Sequence, residues 1–475
     1  MIVRLDEGRA IDASIPDGRV QLKRRHIAAA TLGNALEFYD FVTYAFFAIQ
    51  IGHAFFPGRG GYGSLMLSLA TFGAGFITRP IGALVIGGYA DKVGRRPAMV
   101  LSFSLMGGAI IAMAIIPPYA AIGIAAPLLA ITARMVQGFS LGGEIGANTA
   151  FLLEAAAPEK RGVIVAWQGA SQLIAVTVGS LVGWALTEIL PAAGLDAYGW
   201  RLAFLLGAVT LPIGLWLRRA IPETLHGGGP SAPEESDVSR WRLAGRSRRV
   251  IGLGIVILGS ATIGTYILDY IVTFAQDSLH LSARIGFLAE TAGNLLGIPA
   301  LLMGAALSDR IGRWRINVWT NLALLILIVP IFWVVVASRS PVVLFLAMAV
   351  LGIATNFSSG SYSVAIAESL PRSIRGGGFG TVYSIAIAAF GGTTQLVVTW
   401  LIHLTGSALA PAGYLVIATG IGQVALMLFP ESAPRLVRDQ RLVYDAAGAP
   451  GAQASTIAPI SGRMRSKGAS AGVPR

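Results

Sequence analysis

About twelve apolar runs, each long enough to cross a bilayer, dominate this chain and leave few folds open to it. A membrane-spanning helix needs roughly 20 apolar residues, and runs of that kind start near Ile27, Ser64, Pro97, Ile122, Gly162, Trp200, Val250, Ala283, Ile316, Pro341, Gly376 and Ala412. In lipid each segment must satisfy its own backbone hydrogen bonds, so these runs read as helices. With 54% hydrophobic and only 13% charged residues over 475 positions, the chain lacks the polar surface of a soluble globule. The predicted class is an all-α membrane protein of twelve transmembrane helices.

A formal charge of +12 would suit nucleic acid, but its placement points elsewhere. With both termini cytoplasmic, only Arg59, Arg201, Arg284 and Arg339 fall outside, and Arg79 and Arg134 lie within the membrane. The remaining Lys and Arg all face the cytoplasm, which is the positive-inside pattern. No nucleic-acid partner is expected; the bilayer is. Cysteine is absent, so no disulfide or thiolate site exists. The five histidines, His26, His53, His226, His280 and His403, show no ligand spacing, so neither metal nor cofactor is expected. No nucleophile, base and orienting group converge on one segment, which argues against an enzyme.

The chain also repeats itself. Gly87 to Arg96, GGYADKVGRR, is echoed by Gly304 to Arg313, GAALSDRIGR, which aligns Asp91 with Asp309 and Arg95 with Arg313. EAAAPEKRG from Glu154 to Gly162 is echoed by ESLPRSIRG from Glu368 to Gly376 at nearly the same offset. Two echoes imply a duplicated six-helix unit, with the halves related by a pseudo-two-fold axis. The expected organisation is a cytoplasmic tail over 1–26, six-helix halves over 27–221 and 250–430, a cytoplasmic linker over 222–249 and a disordered cytoplasmic tail over 431–475. The first 26 residues lack the cleavage pattern of a signal peptide.

Charged residues inside the spans are the candidates for chemistry, because burying them costs about 2.5–3.5 kcal/mol each at a helix centre. Glu37 and Asp40 share one face of the first span, and Asn34 and Tyr44 extend that stripe at helical spacing. They read as proton carriers or a cation site, or else as a structural hydrogen-bond network. Arg134 lies mid-span in RMVQGFSLGGEIG, with Glu144 about ten residues nearer the cytoplasm. Gly138, Gly142 and Gly146 on the same stretch make a face for close helix packing. Arg79, beside Pro80, can grip a carboxylate bidentately or pair with the first-span acids. Asp269 stands in the second half roughly where Asp40 stands in the first, and reads as a pore-lining, gating or proton-carrying group. Asn356, with Ser359 and Tyr362, suits a cavity face and helix packing equally well. Asp91, Arg95, Asp309 and Arg313 read as a conformational latch at the cytoplasmic ends of helices.

These residues carry a resemblance. DKVGRR with its DRIGR copy, RMVQG and the doubled six-span plan resemble the major facilitator superfamily. GNALEFYDF, TRPIGA, QGFSLGGEIG and FGGTTQ resemble its metabolite:proton symporters, a family that includes carriers of citrate, 2-oxoglutarate, shikimate and proline or betaine. The resemblance implies proton-coupled uptake by alternating access, with Glu37, Asp40, Arg134 and Glu144 in proton coupling and Asn34, Tyr44, Arg79, Asp269 and Asn356 around the substrate. Asp269 departs from the neutral residues expected there. The expected function is import of a small organic anion, a di- or tricarboxylate, together with protons, by a monomer in the bacterial inner membrane. An osmolyte symporter or a non-transporting solute sensor are the competing readings.

Overall fold

The computed structural model describes residues 34–35, 38–58, 60–93, 95–142, 145–209, 212, 245, 247–371, 374–434 and 436. The expected linker and terminal tails fall almost entirely outside these residues. The described chain forms helices throughout, and eight of them are long and apolar enough to cross a membrane. Two more, Val100–Ile115 and Ala125–Leu141, are shorter apolar helices.

The twelve expected spans are all represented. In the first half, α1 covers 38–55 with a break at Phe47, α2 is Gly60–Ile77 continued by Arg79–Val93, and α3 is Arg95–Ile115. Next come α4 (Ala125–Leu141, then Ile145–Ala155), α5 (Arg161–Ile189) and α6 (Trp200–Val209). The second half holds α7 (Arg248–Asp269, then Ile271–Asp277), α8 (Ala283–Ile311), α9 (Arg313–Ser338) and α10 (Pro341–Glu368). It ends with α11, formed by Arg375–Ala386, a π-turn at Ile387–Gly391 and Gly392–Thr405, and with α12 (Ala410–Leu428). Large apolar side chains such as Leu84, Ile115, Trp319, Trp333 and Ile417 stay exposed, as lipid-facing surface should.

Glycines set how closely the helices approach. A Cβ on Gly138 would collide with the backbone of Gly75, so α4 crosses α2 in direct backbone contact. Gly142 lies in the same way against Arg79 of α2, and Gly146 reaches across to Gly376 and Gly380 of α11 in the other half. The glycine face expected from the sequence therefore serves two interfaces. Pro80 cannot donate a backbone hydrogen bond to Phe76, and the helix opens at Thr78, just before Arg79.

The halves meet chiefly along three pairs, α5 with α8, α2 with α11 and α4 with α11. At one end of the first pair, Asp309 of α8 caps the start of α5; at the other, Arg284 Nε lies 2.6 Å from Glu188 Oε1. Between them, the Ser180 and Thr291 hydroxyls sit 2.8 Å apart. On the second pair, Gly73 abuts Gly392 near the middle, and Tyr62 stacks on His403 towards the outer end. Among the described residues the halves are thus in contact towards both ends, a closed arrangement.

Candidate functional site

The close α2–α4 crossing brings the two membrane arginines to one place. Arg134 is fully buried; its Nη1 donates to Gln137 Oε1 at 2.6 Å, and Gln137 Nε2 donates to Asp40 Oδ2 at 2.8 Å. Asp40 and Arg134 are thus joined through one amide rather than as a direct ion pair. Gln137 lies one turn from Arg134 on the same face, so α4 supplies two of the three members of the relay and α1 the third.

Several polar atoms here have no partner among the described residues: Asp40 Oδ1, Arg134 Nε and Nη2, and Arg79 Nε. The guanidiniums lie on aromatic faces instead. Arg79 sits 4.8 Å from the Phe41 centroid and 4.5 Å from that of Phe76. Arg134 lies 4.5 Å from Tyr44, 5.1 Å from Phe41 and 5.2 Å from Phe72. Such contacts stabilise a desolvated cation by about 0.5–2 kcal/mol each while leaving N–H groups free for a stronger acceptor. Tyr266 of α7 closes the cluster from the other half, packing edge-on to Phe41, Phe72 and Phe76.

Of the residues expected to act at the centre, Asp40, Tyr44, Arg79 and Arg134 come together. Tyr44 donates its hydroxyl to Ser68 O at 3.2 Å, which fixes the ring beneath Arg134. Asn34 is used elsewhere: its amide donates to Gln168 O and Ser171 Oγ of α5. Asn356 is likewise bound into helix packing, donating to Gly352 O and lying against Gly297 at the α8–α10 contact. Asp269 belongs to α7, one turn from Tyr266, so it flanks the aromatic cluster from the second half. Glu37 and Glu144, and the side chains of Asp91 and Arg95, lie outside the described residues. Among those described, no group of three or more acidic or histidine side chains could hold a metal.

Sequence reasoning passed over Gln137, although it stands three residues after Arg134. It also passed over Glu290, an acid two turns into α8 that is completely buried. The signal was the same one that singled out Asp40.

The cytoplasmic end is a second constellation. Asp309 accepts from Gly162 N at 2.9 Å and Val163 N at 3.2 Å, at the start of α5 in the opposite half. Arg313 Nη2 holds the same carboxylate at 2.6 Å, while its Nε reaches Glu368 at 3.3 Å. Arg161, which opens α5, approaches Glu368 at 3.9 Å. Negative charge at a helix N-terminus is favourable, so Asp309 and Arg313 sit where a latch between halves would act. Glu431, beyond α12, accepts from the backbone N–H groups of Arg313 and Trp314 and so caps α9.

Comparison with known proteins agrees with this arrangement. The model of the Major Facilitator Superfamily matches residues 30–393. A citrate-proton symporter of Klebsiella pneumoniae is 34% identical over 84% of this chain and 90% of its own. An alpha-ketoglutarate permease of Escherichia coli is 33% identical over 78% and 85%. A proline/betaine transporter of the same species is 30% identical over 89% and 85%. The crystal structure of a D-xylose-proton symporter superposes with a TM-score of 0.67 at 16% identity, covering 86% of this chain and 98% of that one. The chain belongs to the major facilitator superfamily, as a twelve-helix membrane transporter and not an enzyme.

Proposed function

We propose that the chain is a proton-coupled symporter that imports a small di- or tricarboxylate. The observation that carries this reading is the buried Asp40–Gln137–Arg134 relay, beside a second arginine whose Nε also has no partner among the described residues. A carboxylate is the acceptor that matches two guanidiniums held on aromatic faces. Asp40 supplies a titratable group in hydrogen-bonded contact with the same arginine through Gln137. An anion entering against an inside-negative potential loses about 2.3 kcal/mol per charge per 100 mV, and co-transported protons offset that loss. Relatives at 33–34% identity named for citrate and alpha-ketoglutarate support the substrate class. The positive-inside pattern supports a bacterial inner-membrane location with both termini cytoplasmic, and the chain is taken to work as a monomer.

One observation favours a second reading. The ring of Phe41, Phe72, Phe76 and Tyr266 would suit a quaternary ammonium group, and a proline/betaine transporter is 30% identical. Against it, arginines already occupy the faces of Phe41, Phe72 and Phe76. Uptake of labelled citrate, 2-oxoglutarate, proline and glycine betaine into proteoliposomes under an imposed pH gradient decides between them. Accumulation of either carboxylate, abolished by a protonophore, is the expected result. Accumulation of glycine betaine or proline with no uptake of either carboxylate would overturn it.

A further inference from the structure

The second half carries buried acids of its own, apart from the Asp40 relay. Glu290 of α8 has no exposed surface, and Asp269 of α7 is 7% exposed. These helices run antiparallel and come into backbone contact at Gly286, where an added Cβ would lie 2.9 Å from Val272 Cα. One turn forward along α8 from that crossing is Glu290, and about one turn back along α7 is Asp269. The two carboxyls therefore face the same contact, each within the other's electrostatic field.

Among the described residues, the surroundings supply polar groups but no counter-charge. Asn294 Nδ2 donates to Glu290 Oε1 at 2.6 Å, while Glu290 Oε2 is buried with no hydrogen-bond partner among the described residues. Thr273, one turn beyond Asp269 on α7, also has a buried hydroxyl without a partner among those residues. No ion pair to Asp269 or Glu290 forms among the described residues. The other ionisable groups beside the pair are Tyr266 and Tyr270 of α7. Tyr266 in turn lies within reach of Arg79, Arg134 and Tyr383, on α2, α4 and α11.

We propose that Asp269 and Glu290 hold one proton between them and form a second transport-linked protonation site. This rests on the reading of the chain as a proton-coupled symporter. Two carboxylates confined together in an apolar interior cannot both ionise without a cation. A proton suits the contact better than a metal ion. The Asn294 amide nitrogen also donates to Glu290 O at 3.0 Å, so the side chain turns its N–H groups, not its oxygen, towards Glu290. A sodium or divalent ion would need several oxygen ligands instead.

Infrared difference spectroscopy of the full chain in lipid vesicles, titrated with pH in the absence of substrate, tests the site itself. A carbonyl-stretch band of a protonated carboxylic acid should appear in the parent. Glu290→Gln and Asp269→Asn should each remove it or move its midpoint, and Asp40→Asn should leave it in place. If Glu290→Gln does not fold, Glu290→Asp and Asp269→Asn carry the same comparison. A band unaltered by both substitutions, altered by only one of them, or displaced by sodium at fixed pH would overturn the shared proton. Because no substrate is present, these results stand even if citrate is not transported, which would count against the proposed function alone. With citrate as the probe, the proton-to-citrate ratio at flux reversal should fall by one proton in Glu290→Gln; an unchanged ratio would overturn the link to transport.

Discussion

Asp309→Asn offers the sharpest test of the cytoplasmic latch, because the carboxylate bridges the two halves through backbone groups that no other side chain is seen to serve. In the closed structure it accepts from Gly162 N and Val163 N of α5. Its contact with Arg313 lies within the second half, so of the bonds Asp309 makes only the two to backbone join the halves. Hydrogen bonds to a charged group contribute about 1.5–3 kcal/mol each and neutral ones about 0.5–1.5. An asparagine oxygen can keep one neutral bond, so the net loss is about 2.5–4.5 kcal/mol, or roughly 70- to 2,000-fold in the closed-to-open ratio. The cysteine-free chain makes this measurable. Ala305 is fully buried and its carbonyl lies against Gly162, so Ala305→Cys places a small thiol at the contact. Maleimide labelling of that thiol in inside-out vesicles should accelerate about 70-fold or more when Asp309→Asn is added, up to the limit set by full opening. An acceleration below about twofold, with the protein still folded, would refute the latch and the arithmetic together.

Three further expectations follow from the same contacts. Asp40→Asn keeps the shape and the bond to Gln137 but removes titration, so accumulation driven by a pH gradient should vanish while substrate-for-substrate exchange persists; full accumulation would leave Asp40 a structural group. Arg79→Lys exchanges a planar fork for a point charge and should raise the KM for citrate by about tenfold, more than it raises that for a monocarboxylate, as measured by competition in vesicles. Glu431→Ala leaves the first N–H groups of α9 uncapped and should cost about 1 kcal/mol, seen as a lowered thermal midpoint in detergent; an unchanged midpoint would mean that water caps α9 equally well.

Much of this architecture is legible in the sequence because lipid is an unforgiving solvent. Apolar run length gives the spans, and the loop echoes give the duplication. Gly138, Gly142 and Gly146 announce a close crossing through their spacing alone. What spacing cannot give is the partner. Asn34 and Asn356 have the same composition signal as a cavity face, yet they tie α1 to α5 and pack between α8 and α10. The aromatic faces beneath Arg79 and Arg134 come from two helices and Tyr266 from a third, so no local pattern reveals them. Spacing offers Asp309 and Arg313 as a latch, but their contacts with Glu368 and Glu431 depend on how the second half folds, and that of Arg161 with Glu368 on how the halves meet.

The division of charge between the halves gives the occluded state a reason to depend on protons. Arg79 and Arg134 belong to the first half, and they face Tyr266, whose neighbour one turn on is Asp269. An anion held by the arginines is drawn towards the first half and repelled by any ionised acid in the second. If both Asp269 and Glu290 were ionised, closing the second half over a bound anion would set like charges together in a medium of low effective dielectric, where repulsion is several-fold stronger than in water. A proton held by the pair reduces that repulsion, and protonation of Asp40 releases more of Arg134 to the substrate. With the proposed substrate and proton site, the carrier loaded with anion and protons can close, whereas the carrier loaded with anion alone is held open by its own acids. The empty carrier must close as well, and there the aromatic faces take the place of the substrate by stabilising both guanidiniums. Coupling on this account lies in which loaded states can occlude, and requires no proton path leading directly from Asp40 to Asp269.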